Sequence, residues 1–258
     1  MPREFVHFSI IGTQKGGTTS LDCYLSQHPQ ICTAPQKEVH FFDLQFHLGQ
    51  DWYEAQFPID LTNPFERHQT IGEATPYYLF HPCVPERMAT LYPNLKLVIM
   101  LRDPVDRAIS HYHHAVHYGF EPLGLEAAIA AETDRLAGQA TQLLSGQITT
   151  SYSHQHHSYL ARGRYLEQIR CWEQFFPRSQ CLYIHSAEFF SHPERELQRV
   201  CTFLGVEKLH LPDYPSHNLG SGNSSAINPS IKSQLVEYFR PYNRALFDHL
   251  GLDFGWLT

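Results

Sequence analysis

The stretch GTQKGGTTSL, Gly12–Leu21, decides the fold. Before it runs Phe5–Ile11, an apolar segment of strand length, and after it a helix is expected from about Thr18 to His28. A strand, a glycine-rich turn and a helix in that order bring backbone N–H groups and a helix N-terminus to one point, which is an anion site. Gly16 and Gly17 let the backbone approach an oxyanion, Thr18 and Thr19 add hydroxyl donors, and Lys15 places a positive charge at the tip. A tight turn with an incidental lysine is the plainer reading. Strand, lysine, double glycine and paired threonine in sequence favour a P-loop-like phosphate-binding loop instead.

Outward from this loop, apolar runs alternate with helical patterns, the signature of an α/β fold. Leu97–Leu101 is the longest uninterrupted aliphatic or Met run and reads as a central buried parallel strand. Asp103 is placed to cap the next helix, with Pro104 at its first position. Residues 70–73 read as a short strand and Cys181–Ile184 as another. Arg87–Leu91, Leu125–Leu136, Leu160–Phe176, Pro193–Leu204 and Pro229–Leu246 read as helical. Pro29 and Pro35 bracket an irregular stretch that ends near Glu38, Phe41 and Phe42, and the two phenylalanines read as core anchors. Ala137–His157, polar and rich in Ser, Thr, Gln and His, reads as a surface loop or lid, and His217–Asn228 as a Gly/Ser/Asn loop. The expectation is one α/β domain over residues 1–258, a central mostly parallel sheet with helices on both faces.

Composition narrows the function. The 258 residues are 42% hydrophobic and 17% charged, which excludes disorder, coiled coil and collagen. A formal charge of −7 argues against an electrostatically held nucleic acid. No apolar run approaches the roughly 20 residues of a membrane helix, and no secretory signal is recognisable, so a soluble cytoplasmic protein is expected. The six cysteines show no zinc-type spacing and read as core residues of a reducing compartment.

Which phosphate ligand the loop takes is a separate question. In a nucleoside triphosphatase loop, G-x-x-x-x-G-K-[ST] counted from Gly12 would put lysine where Thr18 stands. The lysine is instead in mid-loop, and the strand Leu97–Leu101 ends in Arg102 rather than in a metal-holding aspartate. Cations at two strand ends without a magnesium carboxylate suit a group transferred without metal. Sulfuryl transfer meets that requirement, because the moving group carries less charge than a phosphoryl group.

Several segments resemble the sulfotransferases that use 3′-phosphoadenosine 5′-phosphosulfate (PAPS), above all the heparan-sulfate-type branch and its bacterial relatives. They are GTQKGGTTSL, KEVHFFD at Lys37–Asp43, GEATPYY at Gly72–Tyr78, LRDPVDRAIS at Leu101–Ser110, RGRYLEQI at Arg162–Ile169 and FLGV at Phe203–Val206. The resemblance implies that PAPS is the co-substrate and that no metal is required. It assigns Lys15 to the 5′-phosphate and the bridging oxygen, and Gly16, Gly17, Thr18 and Thr19 to the 5′-phosphosulfate loop. Arg102 and Ser110 correspond to the pair that holds the 3′-phosphate, Ser110 lying about 9 Å along the helix after Arg102. Glu38 takes the place of the general base, with Lys37 beside it and His40 as the rival for that role. The acceptor is then a hydroxyl or amine of a carbohydrate or another small molecule.

Two departures from the heparan-type pattern stand out. Ala74 occupies a position where such members often carry lysine, and residues 217–228 lack the cysteine and basic residues of their nucleotide-gripping loop. His111, His113, His114 and His117 follow Arg102, and His154, His156 and His157 lie further on; both sets read as acceptor-facing or solvent-facing rather than as metal ligands. Arg162 and Arg164 could face a phosphate or a sugar acid, and Tyr165 fits a nucleotide pocket or the core. A small-molecule kinase and a non-catalytic nucleotide-binding protein are the alternatives.

Overall fold

The computed structural model describes residues 5–60, 63, 69–217 and 228–257. In chain order they form β1 (Phe8–Gly12), α1 (Thr18–Leu25), β2 (Ile31–Thr33), α2 (Gln50–Glu54), β3 (Thr70–Ala74), α3 (Val84–Leu91), β4 (Lys96–Leu101) and α4 (Pro104–His117). There follow α5 (Leu125–Leu136), α6 (Gln139–Leu144), α7 (Tyr152–His156), α8 (Tyr165–Glu173), β5 (Cys181–His185), α9 (Ser186–Ser191), α10 (Pro193–Leu204) and α11 (Pro229–Leu250). The chain divides into two compact units.

The first unit runs up to Leu101 and resumes at Glu173, and it holds the whole sheet. All five strands are parallel, in the order β2-β3-β1-β4-β5. β1 is therefore central, and every residue of it is buried. Phe8, Ile10, Val98, Met100 and Ile184 share one sheet face and pack on Leu21, Tyr24 and Leu25 of α1 and on Phe189, Leu197 and Val200 of α9 and α10. Each such side chain contributes about 1.5–3 kcal/mol by leaving water. On the opposite face Glu73 meets Tyr53 of α2 and Tyr78. Because β2 and β3 lie on one side of β1 while β4 and β5 lie on the other, the carboxyl end of β1 is the switch point where such sheets take ligands.

The second unit runs from Arg102 to Trp172 and includes α11. Asp103 caps α4 as the sequence indicates, its carboxylate accepting from the amides of Val105 at 2.8 Å and Asp106 at 3.2 Å. Val105 and Ile109 of α4 pack on Leu235 and Phe239 of α11. The Glu132 carboxylate of α5 accepts from the amides of Leu160 and Ala161 and pins the turn before α8.

Several expectations need correction. The Ala137–His157 stretch is not a loop: it holds α6 and α7, and Ser151 caps α7 by accepting from His154 N. The span Leu160–Phe176 is a 3-10 turn at Ala161–Gly163 and then α8, broken where Arg164 leaves helical geometry. α1 ends at Leu25, three residues early, and the bracketed stretch between Pro29 and Pro35 contains the edge strand β2. α11 continues to Leu250 in spite of Pro241. Residues 218–227, most of the expected Gly/Ser/Asn loop, lie outside the described residues.

Candidate functional site

The Gly12–Leu21 loop leaves β1 at its carboxyl end and folds tightly on itself. Thr13 N donates to Met100 O at 2.8 Å and Gly16 N to Thr13 O at 2.9 Å. A Cβ at position 16 would lie 2.9 Å from Thr13 O and 3.0 Å from Met100 O, both main-chain atoms that cannot give way. Gly17 has φ +101° and is the N-cap of α1, and as a glycine it brings no capping side chain of its own. Amides of a helix's first turn that lack a capping side chain are donors for an outside anion. Lys15, at φ 68°, occupies left-handed space that ordinary residues avoid. Ser186 of α9 steadies the turn by donating to Gly16 O at 2.8 Å.

Glu38 stands in the same unit, inside a chain of charges. Lys37 Nζ lies 3.4 Å from Glu38 Oε1, and His40 Nε2 lies 3.3 Å from Glu38 Oε2. The other ring nitrogen, His40 Nδ1, is 2.7 Å from Oδ2 of the buried Asp43. Burial alone would lower the imidazole, but the hydrogen bonds and charges of Asp43 and Glu38 raise it to about 10. Burial alone would raise the Glu38 carboxyl, yet His40 and Lys37 outweigh it and hold the group below the usual carboxylate value. At neutral pH Glu38 is thus a carboxylate and His40 an imidazolium. Asp22 of α1, one turn beyond Thr18, belongs to the same field. Its carboxyl is raised to about 6 by burial, against the pull of Lys37 and with a further push from Glu38.

The segment carrying Glu38 is clamped from two sides. Phe41 and Phe42 are fully buried, as the sequence indicates, and Phe41 stacks on Tyr53 at 4.6 Å. Arg87 of α3 donates to Phe42 O at 2.6 Å and lies over the Phe46 ring. GEATPYY and KEVHFFD, which stand apart in sequence, are joined through Thr75 and Tyr78: Thr75 Oγ1 accepts from His40 N, and the Tyr78 hydroxyl accepts from Phe41 N. Burial raises the Glu73 carboxyl beneath them to about 7, against the opposing hydrogen bonds of Thr75, Tyr53 and Tyr78.

Arg102 and Ser110 lie in the second unit, both half-buried, Arg102 just ahead of α4 and Ser110 within it. Tyr165 is buried and its hydroxyl donates to Arg102 O at 2.7 Å, so it holds the arginine's main chain. Arg162 is fully buried rather than ligand-facing. Its guanidinium donates to Ser158 Oγ at 2.7 Å and Gln155 O at 2.6 Å. His111, His154 and His157 are buried too, His111 against Tyr159 with ring centroids 4.8 Å apart, while His117 is exposed. Among the described residues no three His, Cys, Asp or Glu side chains form a metal-holding group. Asp43, Thr75, Tyr78 and Asp22 were not singled out from the sequence. Asp43 had a readable sign, three residues after His40, whereas the others reach the site only through the fold.

Fold and site define a class: a parallel α/β protein with a glycine-lysine loop at its switch point and a charge-clamped glutamate in the same unit. The model of the sulfotransferase domain matches residues 6–216, and the chain belongs to that family. The chain is 30% identical over 269 residues to heparan sulfate glucosamine 3-O-sulfotransferase 3B1 of Mus musculus, covering 96% of this chain and 64% of that protein. It is 29% identical over 315 residues to the membrane-associated sulfotransferase kil1 of Dictyostelium discoideum, covering 97% and 66% respectively. The chain thus spans slightly less than two thirds of either relative. A crystal structure of a sulfotransferase from Alicyclobacillus acidocaldarius superposes with a TM-score of 0.78 at 31% identity, covering 98% of this chain and 99% of that one. The family favours the sulfotransferase reading over the kinase reading.

Proposed function

We propose that residues 1–258 act as one sulfotransferase domain that moves a sulfuryl group from PAPS to a hydroxyl or amine of a carbohydrate or small molecule. The observation that carries this is the pairing, within one unit, of the Lys15–Gly17 loop with an ionised Glu38 whose field reaches α1, the helix that the loop begins. Glu38 takes the proton of the acceptor hydroxyl or amine as its oxygen or nitrogen bonds to sulfur. The bond from sulfur to the bridging oxygen breaks, and its electron pair stays on the 5′-phosphate. Lys15 and the first-turn amides of α1 meet the charge growing there. His40, already protonated, orients Glu38 and leaves the proton to it. Thr18 and Thr19 supply donors to the 5′-phosphosulfate, and Arg102 and Ser110 take the 3′-phosphate. The tight cradle at Gly16 and a glycine at the N-cap of α1 support the fit of a phosphosulfate to this loop.

Ala74 and the formal charge of −7 support an acceptor less anionic than a sulfated polysaccharide. Free thiols at Cys23, Cys171, Cys181 and Cys201 support a reducing, cytoplasmic setting. Calorimetry with 3′-phosphoadenosine 5′-phosphate and AMP tests the reading. The former binds at least about tenfold more tightly, and Arg102→Ala removes most of that difference. Equal affinities would overturn the nucleotide assignment. Labelled PAPS offered to a panel of sugars, lipids and phenols then identifies the acceptor, with turnover that persists in EDTA.

A further inference from the structure

Three consecutive amides, those of His40, Phe41 and Phe42, follow the Glu38–Val39 pair, and all three are held by side chains of another segment. Phe41 N and Phe42 N donate to the Tyr78 hydroxyl at 3.0 and 3.4 Å, and His40 N donates to Thr75 Oγ1 at 3.5 Å. A hydroxyl has one hydrogen and two lone pairs. With both lone pairs of Tyr78 occupied by these amides, its hydrogen is directed at Glu73 Oε1, at 3.0 Å, with the Thr75 hydroxyl beside it. Thr75 gives its hydrogen to Glu73 Oε2 at 2.7 Å, and Tyr53 donates to Oε1 at 2.8 Å. In its ionised form this one carboxylate accepts from every hydroxyl that carries the main chain, and so sets their direction.

The arrangement is built rather than incidental. Glu73, Thr75, Tyr78 and Tyr53 are all almost wholly buried, so water does not substitute for a lost partner. The main chain they hold is also one that would not keep its shape unaided: His40 has φ 54°, left-handed space that costs an ordinary residue free energy. On this residue depend both the His40–Glu38 contact at 3.3 Å and the His40–Asp43 contact at 2.7 Å.

We infer that Glu73 is a positioning residue for proton transfer: through the Thr75 and Tyr78 hydroxyls it fixes the His40–Phe42 main chain and thereby the aim of Glu38. The inference rests on Glu38 as the base. Glu73 touches no reacting atom. Its effect arises because small misplacements of a catalytic group cost rate steeply.

The test uses the full chain with Glu73→Gln, Tyr78→Phe and, as a control, Ser9→Ala. Ser9 lies opposite Glu73 in the β1–β3 pairing, and its buried hydroxyl bonds nothing. Amide hydrogen exchange is read at residues 40–42 against the sheet, and turnover of PAPS is measured with the best acceptor of the panel above. In Glu73→Gln and Tyr78→Phe, exchange at 40–42 accelerates at least about tenfold while the sheet is unchanged, and kcat falls about 10–100-fold. Affinity for 3′-phosphoadenosine 5′-phosphate stays within about twofold, and Ser9→Ala behaves as wild type. In a Glu38→Gln background, Glu73→Gln costs no further turnover, because the aim of an absent base is immaterial. Tyr78→Phe keeps the carboxylate and the ring, so it decides the matter if Glu73→Gln does not fold. Unchanged kcat in Glu73→Gln or Tyr78→Phe, or a full further loss in the Glu38→Gln background, overturns the positioning role. Full turnover in Glu38→Gln alone overturns the base reading, and this inference with it.

Discussion

Glu38 and His40 differ in which proton each holds at pH 7. The carboxyl lies below its ordinary value and is a bare acceptor, whereas the imidazole, raised to about 10, has no lone pair to offer. Glu38→Gln therefore cuts turnover about 10²–10⁴-fold with nucleotide affinity nearly intact, as measured at saturating substrates in an assay limited by chemistry. His40→Gln has a different signature. It removes the cation that holds Glu38 down, so the carboxyl rises and the acid limb of the pH–rate profile moves to higher pH. An acid limb that stays in place in that variant would separate His40 from Glu38. In the proposed reaction Lys15 faces charge that grows only as the bridging oxygen leaves. Lys15→Ala accordingly lowers kcat by a larger factor than it weakens nucleotide binding, and calorimetry beside steady-state rates shows the split.

At the scale of elements, α4 begins on one side chain. Asp103 carries the amides of Val105 and Asp106, and the residue before it is Arg102. Asp103→Ala costs about 1 kcal/mol of stability in chemical denaturation and, by fraying the turn beside Arg102, weakens binding of 3′-phosphoadenosine 5′-phosphate more than of AMP. This helix was legible in the sequence because cap and proline are local signals. So were β1, β4, β5 and α10, whose apolar runs and caps lie within a few residues of one another. β2 was not, since three residues carry no period and an edge strand is made by its neighbour. α6 and α7 were hidden in a polar stretch whose few apolar anchors, such as Leu143, do not repeat. The glycine-lysine turn between β1 and α1 could be read from motif order. The tie between GEATPYY and KEVHFFD could not, because hydroxyl-to-amide bonds between distant segments leave no spacing to count. Arg162 misled for a related reason: nothing in RGRYL shows that main-chain carbonyls of Gln155 and His154 consume its donors.

For the molecule as a whole, the same charges make stability depend on pH in a direction that can be worked out. His40 titrates near 10 when folded and near 6.5 when unfolded, so the folded state holds the proton more tightly. Its contribution is complete below pH 6.5 and is lost as pH rises through 10. Glu73, raised from 4.5 to about 7, acts in the same sense at lower pH, its contribution ebbing between those values, and Asp22, raised from 3.8 to about 6, does so lower still. Carboxyls held below their ordinary value, among them Glu38 and Glu121, oppose this on the acid side, because their stabilisation is lost as pH falls. Above about pH 7.5 the carboxyls are spent and His40 dominates, until half-buried thiols such as Cys181, raised to about 11, add to the loss. The His40 share of the wild-type unfolding free energy is therefore predicted to fall by on the order of 2–3 kcal/mol between pH 7.5 and 10, with the thiols adding to it. His40→Gln starts lower at pH 7.5, because the pair with Asp43 has lost its charge, and it falls much less over the same interval. Chemical denaturation of both proteins at half-unit steps measures the two slopes, and since the thiols are common to both, their difference belongs to His40. Parallel slopes would mean that the imidazole is neutral in the folded protein, and His40 would then regain its claim to the base role proposed for Glu38.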